Sequence, residues 1–297
     1  MTKNNKKNLI IFGASNQIGF YLRKHLQNLS ADYHVIACSR NPPRNDNTPD
    51  IQWQTTDLNQ KSFSLTTLKP DVLIYAAPLP LLPKLLQIPP TCLKRLIAFS
   101  TTSRYTKTDS SDAQERKLVQ TYIQTEREIM AHCHNHKINF TLLRPTLVYG
   151  CGKDKNIAFI ANFIKRFGIF PLLGQAKGLR QPVHAEDLAL ACLQTITCET
   201  SFNRAYNLSG GSCITYQQMV EKIFQGLDKP VRLLKTPAIV LRLILTVLSQ
   251  FPRFRHLSMS MFERMNQDLY FDHQHAQQDF GYNPRPFHPD ALALGNQ

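Results

Sequence analysis

Apolar residues along this chain fall into short continuous runs, separated by longer stretches of mixed polarity. Lys7 to Phe12, KNLIIF, is the first run, and GASNQIG then opens a helical pattern that continues through Leu26. Further runs cover Tyr33 to Ser39, Gln52 to Thr55, Asp71 to Ala77, Leu96 to Ser100 and Phe140 to Leu143, and a long helical pattern covers about Asp112 to Cys133. Short apolar runs suit strands buried on both faces. Strands alternating with helices at this spacing imply βαβ crossovers, so the predicted class is α/β with a doubly wound parallel sheet. Past Gly150 the pattern becomes irregular, with LLGQAKG and SGGS turns, and a second, smaller lobe is expected there.

The run LIIFGASNQIG reads as strand, glycine turn and helix. Gly13 permits the tight turn and Gly19 the close packing of helix on strand. The amides of Ser15, Asn16, Gln17 and Ile18 at the helix start can hold a pyrophosphate. This is the Rossmann-type arrangement, although the middle glycine of a G-x-x-G-x-x-G loop is here Asn16. Asparagine tolerates a left-handed backbone, so the loop is expected to keep its shape, with Asn16 adding bulk on the phosphate side. The second strand ends Ala37-Cys38-Ser39-Arg40, with no acidic residue to bind ribose hydroxyls. Arg40 can instead pair with a 2′-phosphate, which favours NADP, with NAD as the alternative. The expected division is a dinucleotide-binding domain over 1–150, with 184–200 returning to it, and a smaller substrate-binding lobe over 151–297.

Composition narrows the classes. The 297 residues suit one large α/β domain or one with a smaller lobe, and 42% hydrophobic residues can build a full core. The seven cysteines are scattered without a C-x-x-C pair, which predicts reduced thiols in a cytoplasmic setting. No apolar segment follows the basic start MTKNNKKN in the manner of a signal peptide. The formal charge of +14 attracts phosphates, and a phosphate-bearing small molecule is the expected partner. Zinc-finger spacing and RNP-like aromatics are absent, so nucleic acid is not expected. Pro237 to Leu248, PAIVLRLILTVL, is too short to span a bilayer and is interrupted by Arg242. It reads as a lobe-packing helix. The alternative is an interfacial helix, because Arg253 and Arg255 follow it, and contact with a membrane surface is therefore open but not favoured.

Five motifs in order resemble the NAD(P)-dependent epimerase/dehydratase family, the extended or atypical short-chain dehydrogenase/reductases. Asp57-Leu58 resembles the family's adenine-contacting pair, and Ala76-Ala77 the small residues beside the cofactor. Ser100-Thr101-Thr102-Ser103-Arg104-Tyr105 resembles S-S-T-x-V-Y, which puts Thr102 at the catalytic serine/threonine position. Arg144-Pro145-Thr146-Leu147-Val148-Tyr149-Gly150 resembles R-P-x-x-V-Y-G, and Pro145 and Leu147 then flank the nicotinamide. The stretch from Arg180 to Ala189 resembles R-x-x-V-H-V-x-D-x-A, whose arginine contacts the substrate diphosphate in members that handle nucleotide sugars. The resemblance implies an NAD(P)-dependent enzyme acting on a nucleotide sugar as an epimerase, dehydratase or reductase. Arg180 would hold the diphosphate, helped by Asn156, and would serve affinity rather than stability.

Two features depart from the family pattern. The family's Tyr-x-x-x-Lys uses the lysine to lower the phenol's pKa, whereas here Tyr122 is followed four residues on by Glu126. Tyr122, Tyr105 or a carboxylate such as Glu126 would then have to carry the proton. The only literal Y-x-x-x-K, Tyr149 to Lys153, lies in a glycine-bearing segment and reads as coincidence. The second departure is PLPLLPKLLQIPPTCLKR, whose prolines at 78, 80, 83, 89 and 90 leave room for at most one short helix. The family's four-helix dimer is in doubt for that reason. His132, His134 and His136 read as a solvated helix end rather than a metal site, and His184 as a packed histidine. Two further readings stay open: a redox-inactive NADP-binding sensor or assembly protein, and a reductase of a lipophilic substrate at a membrane surface.

Overall fold

The computed structural model describes residues 6–26, 31–43, 48, 50–59, 65–87, 91–152, 154, 156–240 and 259–295. The N-terminal half runs β1 (Lys7–Phe12), α1 (Gln17–Leu26), β2 (Tyr33–Ser39), β3 (Ile51–Thr55), β4 (Val72–Tyr75), α2 (Leu82–Leu86), β5 (Arg95–Phe99), α3 (Ser103–Thr106), α4 (Ala113–Asn135) and β6 (Asn139–Pro145). There follow β7 (Val148–Tyr149), α5 (Ile157–Phe167), β8 (Phe170–Leu173), β9 (Leu179–Arg180), β10 (Val183–His184), α6 (Ala185–Gln194) and β11 (Arg204–Leu208). The chain ends with β12 (Ile214–Thr215), α7 (Tyr216–Gly226), β13 (Leu233–Thr236), α8 (Met259–Glu263) and α9 (Gln274–Phe280).

Seven strands form one parallel sheet in the order β11-β6-β5-β4-β1-β2-β3. The strand direction of winding reverses between β1 and β4, where Phe12 stands opposite both Cys38 of β2 and Tyr75 of β4. In open α/β sheets such a switch point leaves a crevice at the carboxyl ends of the strands, and ligands bind there. The doubly wound parallel sheet predicted from the apolar runs is the observed fold.

Alternation along β1 splits the core in two. Leu9 and Ile11 join one cluster with Leu22 of α1 and Leu188 and Cys192 of α6. Ile10 and Phe12 join the other with Leu82 and Leu86 of α2 and Ile129 and Cys133 of α4. Because both faces are covered, the central strands carry no polar alternation, which is why they read as continuous apolar runs. A third cluster is built from α5, β8 and α7, with Ile160, Leu172, Val220, Phe224 and Phe287 fully or almost fully buried. Three two-stranded pairs, β10 with β7, β12 with β9 and β13 with β8, tie this lobe together.

The seventh strand, β11, has no counterpart in the sequence reading. Its residues RAYNL lie at the sheet edge with Arg204 exposed and Asn207 half-buried, so no apolar run marks it. The proline-rich segment forms a 3₁₀ turn at Leu79–Leu81 and the five-residue α2, both against α4, while residues 88–90 lie outside the described residues. The part of the apolar stretch from 241 to 248, and Arg253 and Arg255, also lie outside them. Among the described residues, no helix is long and apolar enough to cross a membrane.

Candidate functional site

The glycine loop is pressed against the end of β4. Gly13 has φ +79, and a Cβ there would stand 2.6–2.8 Å from the Ala76 and Ala77 backbone. A Cβ on Gly19 would collide with the Gly13 carbonyl. Both positions therefore require glycine, for conformation and for close approach. Asn16 behaves differently from expectation. It is not among the residues with positive φ. Its side chain caps α1 by accepting from Gly19 N at 2.8 Å, and its Nδ2 donates to Ala76 O at 2.6 Å. The amide thus bridges the switch-point crevice instead of adopting a left-handed turn. Ser39 Oγ donates to Ser15 Oγ at 2.8 Å, fastening the end of β2 to the same loop. Arg40, the next residue, is exposed. Asp57 accepts from Asn59 N at 3.0 Å in a local turn, and Leu58 packs beside it on the apolar cluster under β4.

A cavity of about 490 Å³ opens beyond the carboxyl ends of β5 and β6, within the ~300–1,000 Å³ range of small-molecule pockets. Gln17, Thr102, Leu147, Asn156 and Arg180 line it, so the fold brings these five predicted residues together. Thr102 is buried, and its hydroxyl donates to Pro145 O at 3.1 Å. With its hydrogen committed there, the Thr102 oxygen is left as an acceptor toward the cavity. Sequence reasoning missed several of the other lining residues. Lys107, Asp154, Tyr216, Arg264 and Phe271 come from α3, the loop before α5, α7 and the C-terminal segment, and only the fold joins them.

Arg180 is held more tightly than the sequence suggested. Its guanidinium donates to Leu179 O at 2.7 Å, Gln267 O at 2.8 Å and Arg264 O at 2.5 Å, and it lies 5.3 Å over the Tyr216 ring. It is 5% exposed, and burial lowers its pKa to about 10. These contacts pin the 264–267 turn to β9, so Arg180 supports the cavity wall, contrary to a role in affinity alone. At the flank, Lys107 Nζ and Arg264 Nη1 both reach Glu115, at 2.9 and 2.7 Å. That pairing, with Ser110, holds the Glu115 carboxyl below its usual range despite its burial. Asn156 sits at the N-cap of α5 without a side-chain cap bond.

The helix α4 contributes no side chain to this cavity. Tyr122 packs with the apolar cluster that includes Leu79, Leu82 and Leu86, and burial pushes its phenol up, with a backbone bond from Leu79 acting against that. Glu126, considered above as a base, is 1% exposed and fully engaged. Ser100 Oγ donates to it at 2.5 Å, Arg144 forms a two-pronged pair at 2.6–3.2 Å, and Arg104 closes the other side. This clamp also turns the Ser100 hydroxyl toward Glu126. Tyr105 is 47% exposed. Its hydroxyl accepts from Arg144 Nη1 at 2.8 Å, and its ring faces Phe271, a lining residue, at 5.8 Å. His184 is buried and N-caps α6 by accepting from Glu186 N, with the Tyr21 and Tyr149 rings each 5.1 Å away. His132 and His136 stack at 4.3 Å, and no cluster suited to a metal ion occurs among the described residues.

Residues 80–209 match the NAD dependent epimerase/dehydratase family. This is the family that the five motifs resemble, and the match begins in the 3₁₀ turn after β4 and closes just after β11. Family likeness and fold agree. The structure of UDP-glucuronic acid 4-epimerase from Bacillus cereus with NAD superposes with a TM-score of 0.71 at 16% identity, covering 97% of this chain and 96% of that one. MoeE5 in complex with UDP-glucose and NAD gives 0.70 at 18% identity, with coverage of 97% and 96%. In sequence, UDP-glucose 4-epimerase of Vibrio cholerae is 21% identical over 178 residues, 60% of this chain. That match spans 52% of the Vibrio enzyme, about half its length.

Proposed function

We propose that the protein binds a nicotinamide dinucleotide across the β1–β4 crevice and a nucleotide sugar in the adjoining cavity, as an epimerase, dehydratase or reductase. The observation that carries this reading is the cavity itself. It places Thr102 and Leu147, at the carboxyl ends of β5 and β6, against a wall from the second lobe that includes Arg180. Structural relatives with this fold include proteins solved with NAD and a UDP-sugar.

The glycine loop fits a dinucleotide, because Gly13 and Gly19 leave the backbone bare where a Cβ would not fit. Gly13, Ser15, Asn16, Gln17, Ile18 and Gly19 would hold its pyrophosphate. Ser39, Arg40, Asp57 and Leu58 would hold its adenosine half, and Ala76, Ala77, Ser100, Pro145 and Leu147 its nicotinamide half. When bound, the nicotinamide supplies a hydride acceptor or donor. The chain's own part is to position the sugar. Thr102 would accept from the reacting hydroxyl, and Arg180 and Asn156 would frame the diphosphate. Exposed Arg40 at the end of β2 favours NADP over NAD. Titrating both cofactors against wild type and Arg40→Ala tests that choice. NADP should bind more tightly, and the variant should lose the preference; equal binding of NAD by the wild type would remove it.

One observation favours a second reading, in which the protein binds both ligands without turnover. No α4 side chain reaches the cavity, and Glu126 is locked between arginines, so neither offers a proton carrier there. Tyr105, at the rim beside Phe271, remains the one phenol of the three predicted catalytic residues near the opening.

A further inference from the structure

Among the described residues, two buried oxygen atoms of cavity-lining side chains have no hydrogen-bond partner. They are Asp154 Oδ2 and Gln17 Oε1. Asp154 is fixed in place, because its other oxygen accepts from Asn156 N at 2.9 Å, Ile157 N at 2.5 Å and Ala158 N at 3.1 Å. The carboxylate therefore caps α5. It also occupies the backbone amides that a ligand phosphate would otherwise use at this helix end.

Among the described residues, the cations that line the cavity are committed elsewhere. Lys107 and Arg264 share Glu115, and Arg180 serves three carbonyls. Among the described residues, the cavity wall near α5 thus carries a buried acceptor that lacks a donor. A buried acceptor is satisfied by a hydroxyl or an ammonium, and left worse by a second carboxylate. Gln17 adds a second polar group that awaits a partner on the opposite element, at the start of α1.

We propose that Asp154, with Gln17, selects for a nucleotide sugar whose sugar presents hydroxyl or amino donors, and against one carrying a carboxylate. This rests on the nucleotide-sugar reading above. It separates this chain from a relative named for a UDP-sugar acid, despite the shared fold.

The test is calorimetric titration of UDP, UDP-glucose and UDP-glucuronate at pH 8 into wild type, Asp154→Asn and Asp154→Ser. Both replacements retain an oxygen that can cap α5, and melting curves confirm that they fold. The wild type should bind UDP-glucose at least about tenfold more tightly than UDP-glucuronate, the scale expected when a buried polar group is left mismatched. In both variants the gap should close, chiefly because UDP-glucuronate binds better. Equal binding of the two by the wild type, with UDP itself binding, overturns the selection and leaves the nucleotide-sugar reading standing. A gap that persists in both variants does the same. If neither UDP nor either sugar nucleotide binds, the nucleotide-sugar reading falls and this inference with it.

Discussion

Replacing Glu126 with glutamine keeps the side chain's shape and removes the negative charge between Arg104 and Arg144. The carboxylate is 1% exposed, whereas the arginine side chains are 18% and 12% exposed. Removing one partner of a buried ion pair costs about 3–5 kcal/mol, because the other charge stays behind. Here water reaches the two guanidiniums better than it reaches the carboxylate. The lower end of that range, about 3 kcal/mol, is therefore expected. At roughly 2–4 °C per kcal/mol for a large domain, the melting temperature should fall by about 6–12 °C. Urea unfolding gives the free-energy change directly. A double-mutant cycle with Arg144→Gln should show coupling within the ~0.5–3 kcal/mol seen for contacting residues. The reasoning is refuted if Glu126→Gln stays within ~0.5 kcal/mol of wild type, the range of an ordinary surface change. It is equally refuted if the variant loses hydride exchange while keeping full stability, for then Glu126 is a proton carrier and not a structural anchor.

Asn16→Gly removes the amide that bridges to Ala76, and should tighten dinucleotide binding several-fold in a fluorescence titration; unchanged or weaker binding would show that the bridge does not compete with the cofactor. Arg180→Ala should cost about 3 kcal/mol, because three carbonyls lose a charged donor at ~1.5–3 kcal/mol for the stronger bonds, partly offset by water. An unchanged melting temperature would restore the view that Arg180 serves affinity alone. Burial, reinforced by Arg285, holds the His184 imidazole below its ordinary value of 6.5. The native state thus resists a proton that the unfolded chain accepts, so this contribution is present above pH 6.5 and lost as the pH falls below it. His184→Asn, which keeps a capping acceptor, should flatten the fall in melting temperature between about pH 7 and pH 5.5; parallel curves for variant and wild type would contradict this.

The sheet was legible because strands buried on both faces leave an unbroken apolar trace. Its edge strand β11 was not, because RAYNL is buried only in part and has no such trace. Three of the motifs contain Thr102, Leu147 and Arg180, which the fold gathers with Asn156 around one opening. What each side chain does there depends on partners distant in sequence. Asn16 meets Ala76, Arg180 meets the 264–267 turn, and Glu126 gathers groups from the end of β5, from α3 and from β6. Spacing along α4 set Glu126 against Tyr122, while the fold turns the carboxylate toward Arg144 and the phenol toward Leu79. Asp154 reads as one charge among lysines in GKDKN. Its position just before the apolar run of α5 was the available sign of a cap.

The most direct test of the central claim is absorbance at 340 nm with stoichiometric protein, NADP or NAD, and a panel of UDP-hexoses. The record should be taken from neutral to alkaline pH for wild type and Thr102→Ala. Reduced nicotinamide should appear slowly with at least one UDP-hexose, and Thr102→Ala should abolish this at unchanged melting temperature. No reduction with any sugar at any pH, in protein shown to bind both ligands, would contradict an enzymatic role and leave the binding reading in its place.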